Sequence, residues 1–92
     1  MSDQASTSVK ISNRLGLHAR ASAKFCKTAS AFDAEVSVSK DGFTVRGDSV
    51  LDLLMLVAHK GSDIKIVADG PQAAEAVETL RRLVEDRFGE PD

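Results

Sequence analysis

The sequence predicts an α+β fold: a four-stranded antiparallel sheet covered on one face by three helices, an open-faced β-sandwich with the order βαββαβα. Apolar and polar residues alternate in four short segments, which is typical of strands with one buried face. Apolar residues recur at helical spacing in three other segments. Because three helices are too few to cover both faces of such a sheet, we expect the second face to contact water.

The first strand and the first helix flank a short loop. Val9 and Ile11 alternate with polar residues and predict a strand that ends at the loop 13–16. From Ala19 to Phe32, apolar side chains recur at helical spacing without an interrupting proline or glycine, which predicts the first helix. The loop therefore leads directly into a helix start.

The three remaining strands follow from the same alternation. Residues 36–38 and 43–45 alternate apolar and polar side chains on either side of an Asp-Gly pair at 41–42, which predicts a hairpin with a tight turn. Residues 64–66 alternate in the same way up to an Asp-Gly-Pro break at 69–71, which predicts the last strand.

Two further helices complete the order. Ser49 is a good N-cap for the apolar segment 50–58, which predicts a short second helix. An apolar stripe along 73–84 predicts the final helix, in which Glu78 and Arg82 have the spacing of a stabilising i,i+4 pair.

Length and composition predict one small globular domain over residues 1–92, with loose ends at 1–6 and 90–92. The net charge of -2 and the aromatic content of 4% do not favour nucleic-acid binding. The polar start has no secretory signal and no apolar segment is long enough to span a membrane, so we expect a soluble, cytoplasmic protein that does not insert into membranes. We expect neither a metal nor a cofactor, because Cys26 is alone and no Cys and His residues have ligand spacing.

The segment 13–22, N-R-L-G-L-H-A-R-A-S, carries the chemistry. It places His18 where the first helix starts, and there the unpaired N–H groups and the helix dipole favour an anion and a neutral, nucleophilic imidazole. Arg20 adds a guanidinium that matches phosphate oxygens, and the backbone amides of Ala19 and Ala21 add donors. The pattern predicts a site that holds and passes on a phosphoryl group. No nucleotide-binding loop accompanies it, so we expect it to depend on partner proteins. A histidine at a helix start is also found as an ordinary polar residue, and that interpretation stays open.

The motif G-L-H-A-R at 16–20, within this element order and length, resembles HPr, the histidine-containing phosphocarrier family of the phosphoenolpyruvate-dependent phosphotransferase system. The resemblance covers about residues 7–88. It implies that His18 takes phosphate on Nδ1 from Enzyme I and passes it to an enzyme IIA domain, and that Arg20 stabilises the phosphorylated form. The family commonly has proline where this chain has Ala21, so the resemblance does not distinguish a sugar-transport member from a nitrogen-type or regulatory one.

The second helix is apolar at eight of the nine positions 50–58, although a short helix on a sheet buries only one stripe. We therefore expect exposed apolar residues among Leu51, Leu54 and Met55. The resemblance implies that Leu51 and Leu54 contact both partners; the alternative is that all belong to the core. Ser49 lies where many HPr-like proteins carry a serine phosphorylated by HPr kinase/phosphorylase, and it is also explained as a plain N-cap.

The interpretation is thus a monomeric phosphocarrier, a relay without substrate turnover of its own. One rival is a regulatory docking protein of a nitrogen-type phosphorelay, which binds targets according to its phosphorylation state. The other is a ligand-binding α+β module in which His18 has no phosphoryl role.

Overall fold

The computed structural model describes residues 3–91. Its elements are, in chain order, β1 (Gln4–Lys10), α1 (Ala19–Ser30), β2 (Glu35–Lys40), β3 (Phe43–Arg46), α2 (Val50–Met55), β4 (Asp63–Asp69), α3 (Ala73–Glu85) and a 3-10 turn (Arg87–Gly89). The predicted order βαββαβα is confirmed. In residues 3–91, no helix is both long enough and apolar enough to cross a bilayer.

All four strands join one antiparallel sheet in the order β1-β4-β2-β3. The register places Val9 opposite Ile64, and Val38 opposite both Ile66 and Val45. Because neighbouring strands keep their apolar residues in register, these side chains lie on one face, which is the face that the sequence predicted to be buried.

The core lies between this face and the three helices. On α1 the buried stripe includes Ala21, Phe25 and Ala29, as the helical spacing predicted. On α3 the four residues of the predicted stripe are all buried; they are Ala73, Val77, Leu80 and Val84. The other face of the sheet carries mostly exposed or half-buried residues.

The predicted loose ends need correction. Residues 4–6 belong to β1, where they pair with residues 67–69 of β4. The strand was not recognised there because an edge strand with polar residues shows little apolar alternation; its inward positions include Ala5 and Thr7, both only half-buried. At the other end Glu90 contacts other side chains and is not loose. Positions 1, 2 and 92 of the predicted ends lie outside the described residues.

Two helices end earlier than the sequence predicts. α1 ends at Ser30, and Phe32 follows it half-buried against the core. α2 ends at Met55, because the backbone of Val57 turns to a φ of 50° in the left-handed region, which does not continue an α-helix. The final helix runs as predicted, and its Arg82 Nε donates to Glu78 Oε1 at 3.0 Å.

Candidate functional site

The loop before α1 is shaped by a close backbone contact. Gly16 has a φ of 68°, and a Cβ at this position would lie 2.4 Å from the carbonyl oxygen of Ala58. The N–H of Leu17 donates to that same oxygen at 2.9 Å. Only glycine combines this conformation with this approach. The segment after α2 thereby holds the loop in place next to His18.

Buried polar groups fasten the loop to the first turn of α1. Ser22 is fully buried, and its hydroxyl donates to the carbonyl of Leu17 at 3.3 Å. Its backbone N–H donates to the carbonyl of His18 at 2.8 Å, which is the first hydrogen bond of the helix. Because both bonds connect the loop to the helix, the backbone of His18 is held at the junction.

His18 is the N-cap of α1. Its backbone is extended, with φ -77° and ψ -179°, and its Nδ1 accepts a hydrogen bond from the N–H of Arg20 at 3.2 Å. Its side chain is 26% exposed. Nδ1 therefore carries a lone pair and lies beside the first helical turn, as a nucleophile at this helix start requires.

Several hydrogen-bond donors in the first turn of α1 are not used within the described part of the chain. The N–H groups of Ala19 and Ala21 find no acceptor among residues 3–91. The guanidinium of Arg20 likewise has no acidic partner among those residues. Alanine at position 21 supplies an N–H that a proline would lack, so the departure from the common family pattern adds a donor at the site.

Glu90 reaches the opposite nitrogen of the ring. The carboxylate accepts from Asn13 Nδ2 at 3.0 Å on Oε1 and from His18 Nε2 on Oε2. Because Nδ1 accepts a hydrogen bond and a carboxylate can only accept, the ring proton is assigned to Nε2. Both ring nitrogens of His18 are therefore engaged and the orientation of the ring is determined.

Opposing effects act on the Glu90 carboxyl. Burial by itself would raise the pKa of Glu90, but hydrogen bonds from Asn13 and His18, with the positive charge of Lys24, outweigh it and hold this pKa below its ordinary value. The group is thus a carboxylate near neutral pH, the form that accepts hydrogen bonds from both neighbours.

An open cleft of about 470 Å³ borders the ring. It is lined by Arg14, Leu15, His18, Ala19, Arg20, Glu90 and Pro91. Two arginines and one histidine thus line the same surface cleft, a composition suited to an anion that arrives on another protein. A larger concavity of about 790 Å³ shares no lining residue with this cleft. The cleft beside His18 is therefore chosen as the candidate site for the residues that line it and not for its volume.

His18, Arg20 and the amides of Ala19 and Ala21 lie together at the start of α1, and their role as phosphate ligands stays a prediction. The sequence alone did not indicate that Asn13, Arg14 and Glu90 lie at this site. The first two belong to the segment already singled out, although nothing in the sequence marks which side chain turns inward. No local pattern connects Glu90 with His18, because the two residues are 72 positions apart in the chain.

The second helix presents part of its apolar surface to solvent. Leu51 is 70% exposed, Leu54 37% and Met55 57%, whereas Leu53 and Leu56 are buried in the core. The prediction of exposed apolar residues on this helix is confirmed. Ser49 is half-buried and caps the helix by accepting from the N–H of Asp52 at 3.2 Å.

Cys26 lies buried on α1, and burial together with the charge of Asp48 raises the pKa of its thiol. Such a thiol is a poor nucleophile near neutral pH and packs as a small apolar side chain. Within residues 3–91, no three His, Cys, Asp or Glu side chains are arranged to hold a metal ion.

An open-faced sheet of this topology, with a histidine at the start of the first helix beside unpaired amides and an arginine, defines the class of small histidine phosphocarriers. The family model described as the phosphorylation site of the HPr component of the phosphotransferase system matches residues 5–86. The chain belongs to the HPr family.

Relatives of known sequence and structure agree. The phosphocarrier protein HPr of Neisseria meningitidis serogroup A is 49% identical over 83 residues, which cover 90% of this chain and 93% of that protein. The crystal structure of HPr from Thermoanaerobacter tengcongensis superposes with a TM-score of 0.92 at 35% identity, covering 96% of this chain and 99% of that one. The chain is also 36% identical over 87 residues, 95% of its length, to a portion amounting to 18% of DhaM, the phosphoryl donor subunit of the phosphoenolpyruvate-dependent dihydroxyacetone kinase of Escherichia coli.

Proposed function

We propose that Nδ1 of His18 accepts a phosphoryl group from phosphorylated Enzyme I and passes it to an enzyme IIA domain. The observation that carries this proposal is the state of the ring: Nδ1 holds a lone pair beside the start of α1, while the proton is on Nε2. The cleft next to the ring is open, so a phosphoryl group carried by another protein has access. Membership of the HPr family supports the same chemistry.

The proposed transfer step exchanges one bond to phosphorus for another. The Nδ1 lone pair attacks phosphorus, the Nδ1–P bond forms, and the bond from phosphorus to the donor breaks, with its electron pair remaining on the donor. The ring keeps its proton on Nε2 and becomes a phosphoimidazolium. The hydrogen bond from Arg20 N–H to Nδ1 is lost, and that N–H becomes free to donate to a phosphoryl oxygen. Passing the group to an acceptor reverses these changes and restores the cap.

The proposed phosphate ligands lie within the first turn. The N–H groups of Ala19, Arg20 and Ala21 supply neutral donors at the positive end of the helix dipole, where an anion gains about 0.3–1 kcal/mol. The guanidinium of Arg20 supplies the stronger interaction, since hydrogen bonds to charged groups contribute about 1.5–3 kcal/mol. We propose that these groups stabilise the phosphorylated protein.

Labelling with phosphoenolpyruvate and Enzyme I tests the proposal. We expect acid-labile, base-stable phosphate on the wild-type chain and none on His18→Ala. The matched control is His59→Ala, which removes the other histidine of the chain from an exposed position and should keep full labelling. Label retained by His18→Ala, or absent from the wild type, would refute the proposal.

The exposed leucines of α2 are the proposed docking surface for both partners. Leu51 and Leu54 expose apolar area on a helix that is connected to the site through the contact between Ala58 and Gly16. Leu15, which lines the cleft beside His18, is 57% exposed and offers a further apolar contact at the site. A partner that covers these side chains would bring its phosphoryl group to the ring.

Ser49 is the proposed regulatory site, a substrate for HPr kinase/phosphorylase. Within residues 3–91, its half-buried hydroxyl is engaged as the acceptor of the Asp52 N–H, and the exposed Leu51 follows two residues later. A phosphate there would add charge to the docking surface, close to Asp48, and should weaken partner binding. Acid-stable phosphate that appears with this kinase and is lost in Ser49→Ala would support the site; equal labelling of the variant would exclude it.

The alternative function is a regulatory docking protein of a nitrogen-type phosphorelay. It uses the same ring and surface, but its output is the binding of a target and not onward transfer. The similarity to part of the phosphoryl donor subunit of a phosphoenolpyruvate-dependent dihydroxyacetone kinase supports considering a relay other than the one to an enzyme IIA domain. Binding of a target that changes with phosphorylation of His18, without phosphoryl passage to any enzyme IIA domain, would favour this alternative.

For both functions, we propose that residues 1–92 form a monomeric single domain that works in the cytoplasm. Sedimentation at micromolar concentration tests whether the protein is a monomer.

A further inference from the structure

We infer that Glu90 is a positioning residue for His18: it holds the proton on Nε2 and balances the positive charge that the ring acquires when Nδ1 is phosphorylated. This inference rests on the proposed function. Its basis is the hydrogen bond from Nε2 to the Glu90 carboxylate, formed while Nδ1 is engaged by the N–H of Arg20. The arrangement is that of an acid that orients a catalytic imidazole from behind.

The turn that follows α3 places the Glu90 carboxylate beside His18. After α3, the backbone of Arg87, Phe88 and Gly89 turns through three successive positive φ values of 55°, 56° and 73°. Phe88 is 1% exposed, so its ring anchors the turn in the core. Lys24 on α1 donates from Nζ to the carbonyl of Phe88 at 2.7 Å. Left-handed conformations in non-glycine residues are costly and persist only where surrounding contacts impose them. The contacts here direct Glu90 to the site.

Asn13 holds the second carboxylate oxygen. It is 1% exposed, and its Nδ2 donates both to the carbonyl of Gly16 at 2.8 Å and to Glu90 Oε1 at 3.0 Å. The opposite orientation of the amide would place its oxygen against two acceptors, so the chemistry determines the orientation. Within residues 3–91, the Oδ1 atom has no hydrogen-bond partner, which has a free-energy cost. The two bonds from Nδ2 connect the Glu90 carboxylate to the loop that precedes His18.

Charge explains why a carboxylate is used. The neutral ring with its proton on Nε2 becomes a cation on phosphorylation at Nδ1, and Glu90 then faces that cation directly. Among the described residues, the charged side chains that line the cleft beside the ring are the positive Arg14 and Arg20 and the negative Glu90. Within residues 3–91, Glu90 is thus the carboxylate of this cleft that compensates the ring. It contacts Nε2 and therefore does not occupy Nδ1, the atom that attacks phosphorus.

Two variants at position 90 distinguish the effect of the hydrogen-bond acceptor from the effect of the negative charge. Glu90→Gln keeps an acceptor but removes the charge, and Glu90→Ala removes both. In ¹⁵N-¹H spectra of the full chain, we expect the Nε2 proton of His18 to exchange slowly with water in the wild type and fast in Glu90→Ala. In Glu90→Gln, we expect an exchange rate between these two. Glu85→Gln is the control, because Glu85 forms an exposed pair with Arg81 away from the ring. An Nε2 proton that exchanges in Glu90→Ala as slowly as in the wild type would overturn the inference.

Phosphoryl transfer supplies the second measurement. We expect the turnover of Glu90→Ala to fall about tenfold at saturating partner, with KM little changed, because the lost interaction is one with the charged ring and not with the partner. The turnover of Glu90→Gln should lie between those of the wild type and Glu90→Ala, and the turnover of Glu85→Gln should match that of the wild type. Equal turnover in Glu90→Ala and wild type would refute a role in transfer. If the wild type accepts no phosphoryl group, the proposed function fails, while proton exchange still decides whether Glu90 positions the ring.

Discussion

His18 and Glu90 are 72 positions apart in the chain, and their side chains are joined by a hydrogen bond between Nε2 and a carboxylate oxygen. The bond connects the start of α1 with the turn that follows α3. Since Nδ1 is engaged by the first helical turn, the imidazole is held from both sides. The ring that we propose as phosphoryl acceptor is therefore prepared before any partner arrives.

Replacing Arg20 should impair phosphoryl acceptance while leaving the fold intact. We expect Arg20→Ala to lower the transfer rate about 10- to 100-fold, since a hydrogen bond to a charged group is worth about 1.5–3 kcal/mol. Arg20→Lys should recover part of the rate, because a point charge remains without the guanidinium fork. Single-turnover phosphorylation measures the effect.

Lys27→Ala is the matched control for Arg20, because it removes an exposed positive charge from the last turn of the same helix. Ser22→Ala should lower the free energy of unfolding, since the hydroxyl bonds the carbonyl of Leu17, but should affect transfer less than Arg20→Ala. The reverse ranking would contradict the proposed role of Arg20.

A methyl group at position 16 should disturb the site through the backbone. Gly16→Ala places a Cβ 2.4 Å from the carbonyl oxygen of Ala58 at a φ of 68°, so both clash and strain oppose the native loop. We expect the free energy of unfolding to fall by about 1–3 kcal/mol and the transfer rate to fall with it. Gly42→Ala is the control for φ alone, because nothing lies within 4 Å of its added Cβ although its φ is also positive. Denaturant titration compares the two, and equal losses would argue against the clash.

Loss of an exposed leucine should weaken partner binding without destabilising the chain. For Leu51→Ala we expect Kd for Enzyme I to rise about 5- to 10-fold, since truncating an interface residue of moderate importance costs about 1 kcal/mol or slightly more. The side chain is 70% exposed, so little core packing is lost. Titration calorimetry measures Kd. Phe43→Ala, at an exposed apolar position on β3, should bind as the wild type does; a similar loss there would indicate a different docking surface.

Acid should remove the stabilisation that the Glu90 carboxylate provides. The pKa of Glu90 lies below its ordinary value in the folded protein, so its carboxylate adds stability above the pKa of the unfolded chain. This contribution disappears as the pH falls through the lower, folded-state pKa. Wild type and Glu90→Gln should therefore differ in stability near neutral pH and converge in acid. Unfolding titrations at several pH values measure this, and a difference that grows in acid would have the wrong sign.

The sequence by itself determined the order of the elements and the faces that they bury. Alternation and helical spacing are local properties, so they predict that Val38 and Leu80 point inward without knowledge of their neighbours. The same local reasoning placed His18 at a helix start with Arg20 in the first turn, because the cap and the turn involve residues only two apart. Exposure of Leu51 followed from a count of apolar positions on one short helix.

Tertiary structure alone decided the rest. β1 extends back to Gln4 because β4 pairs with it, and α2 stops before Val57 because the following segment turns to meet Gly16. The carboxylate behind the imidazole also comes from the tertiary structure, since Glu90 lies in a short tail with no periodic pattern. Contacts between distant parts of a chain depend on how packed elements bring them together, and no local spacing encodes that geometry.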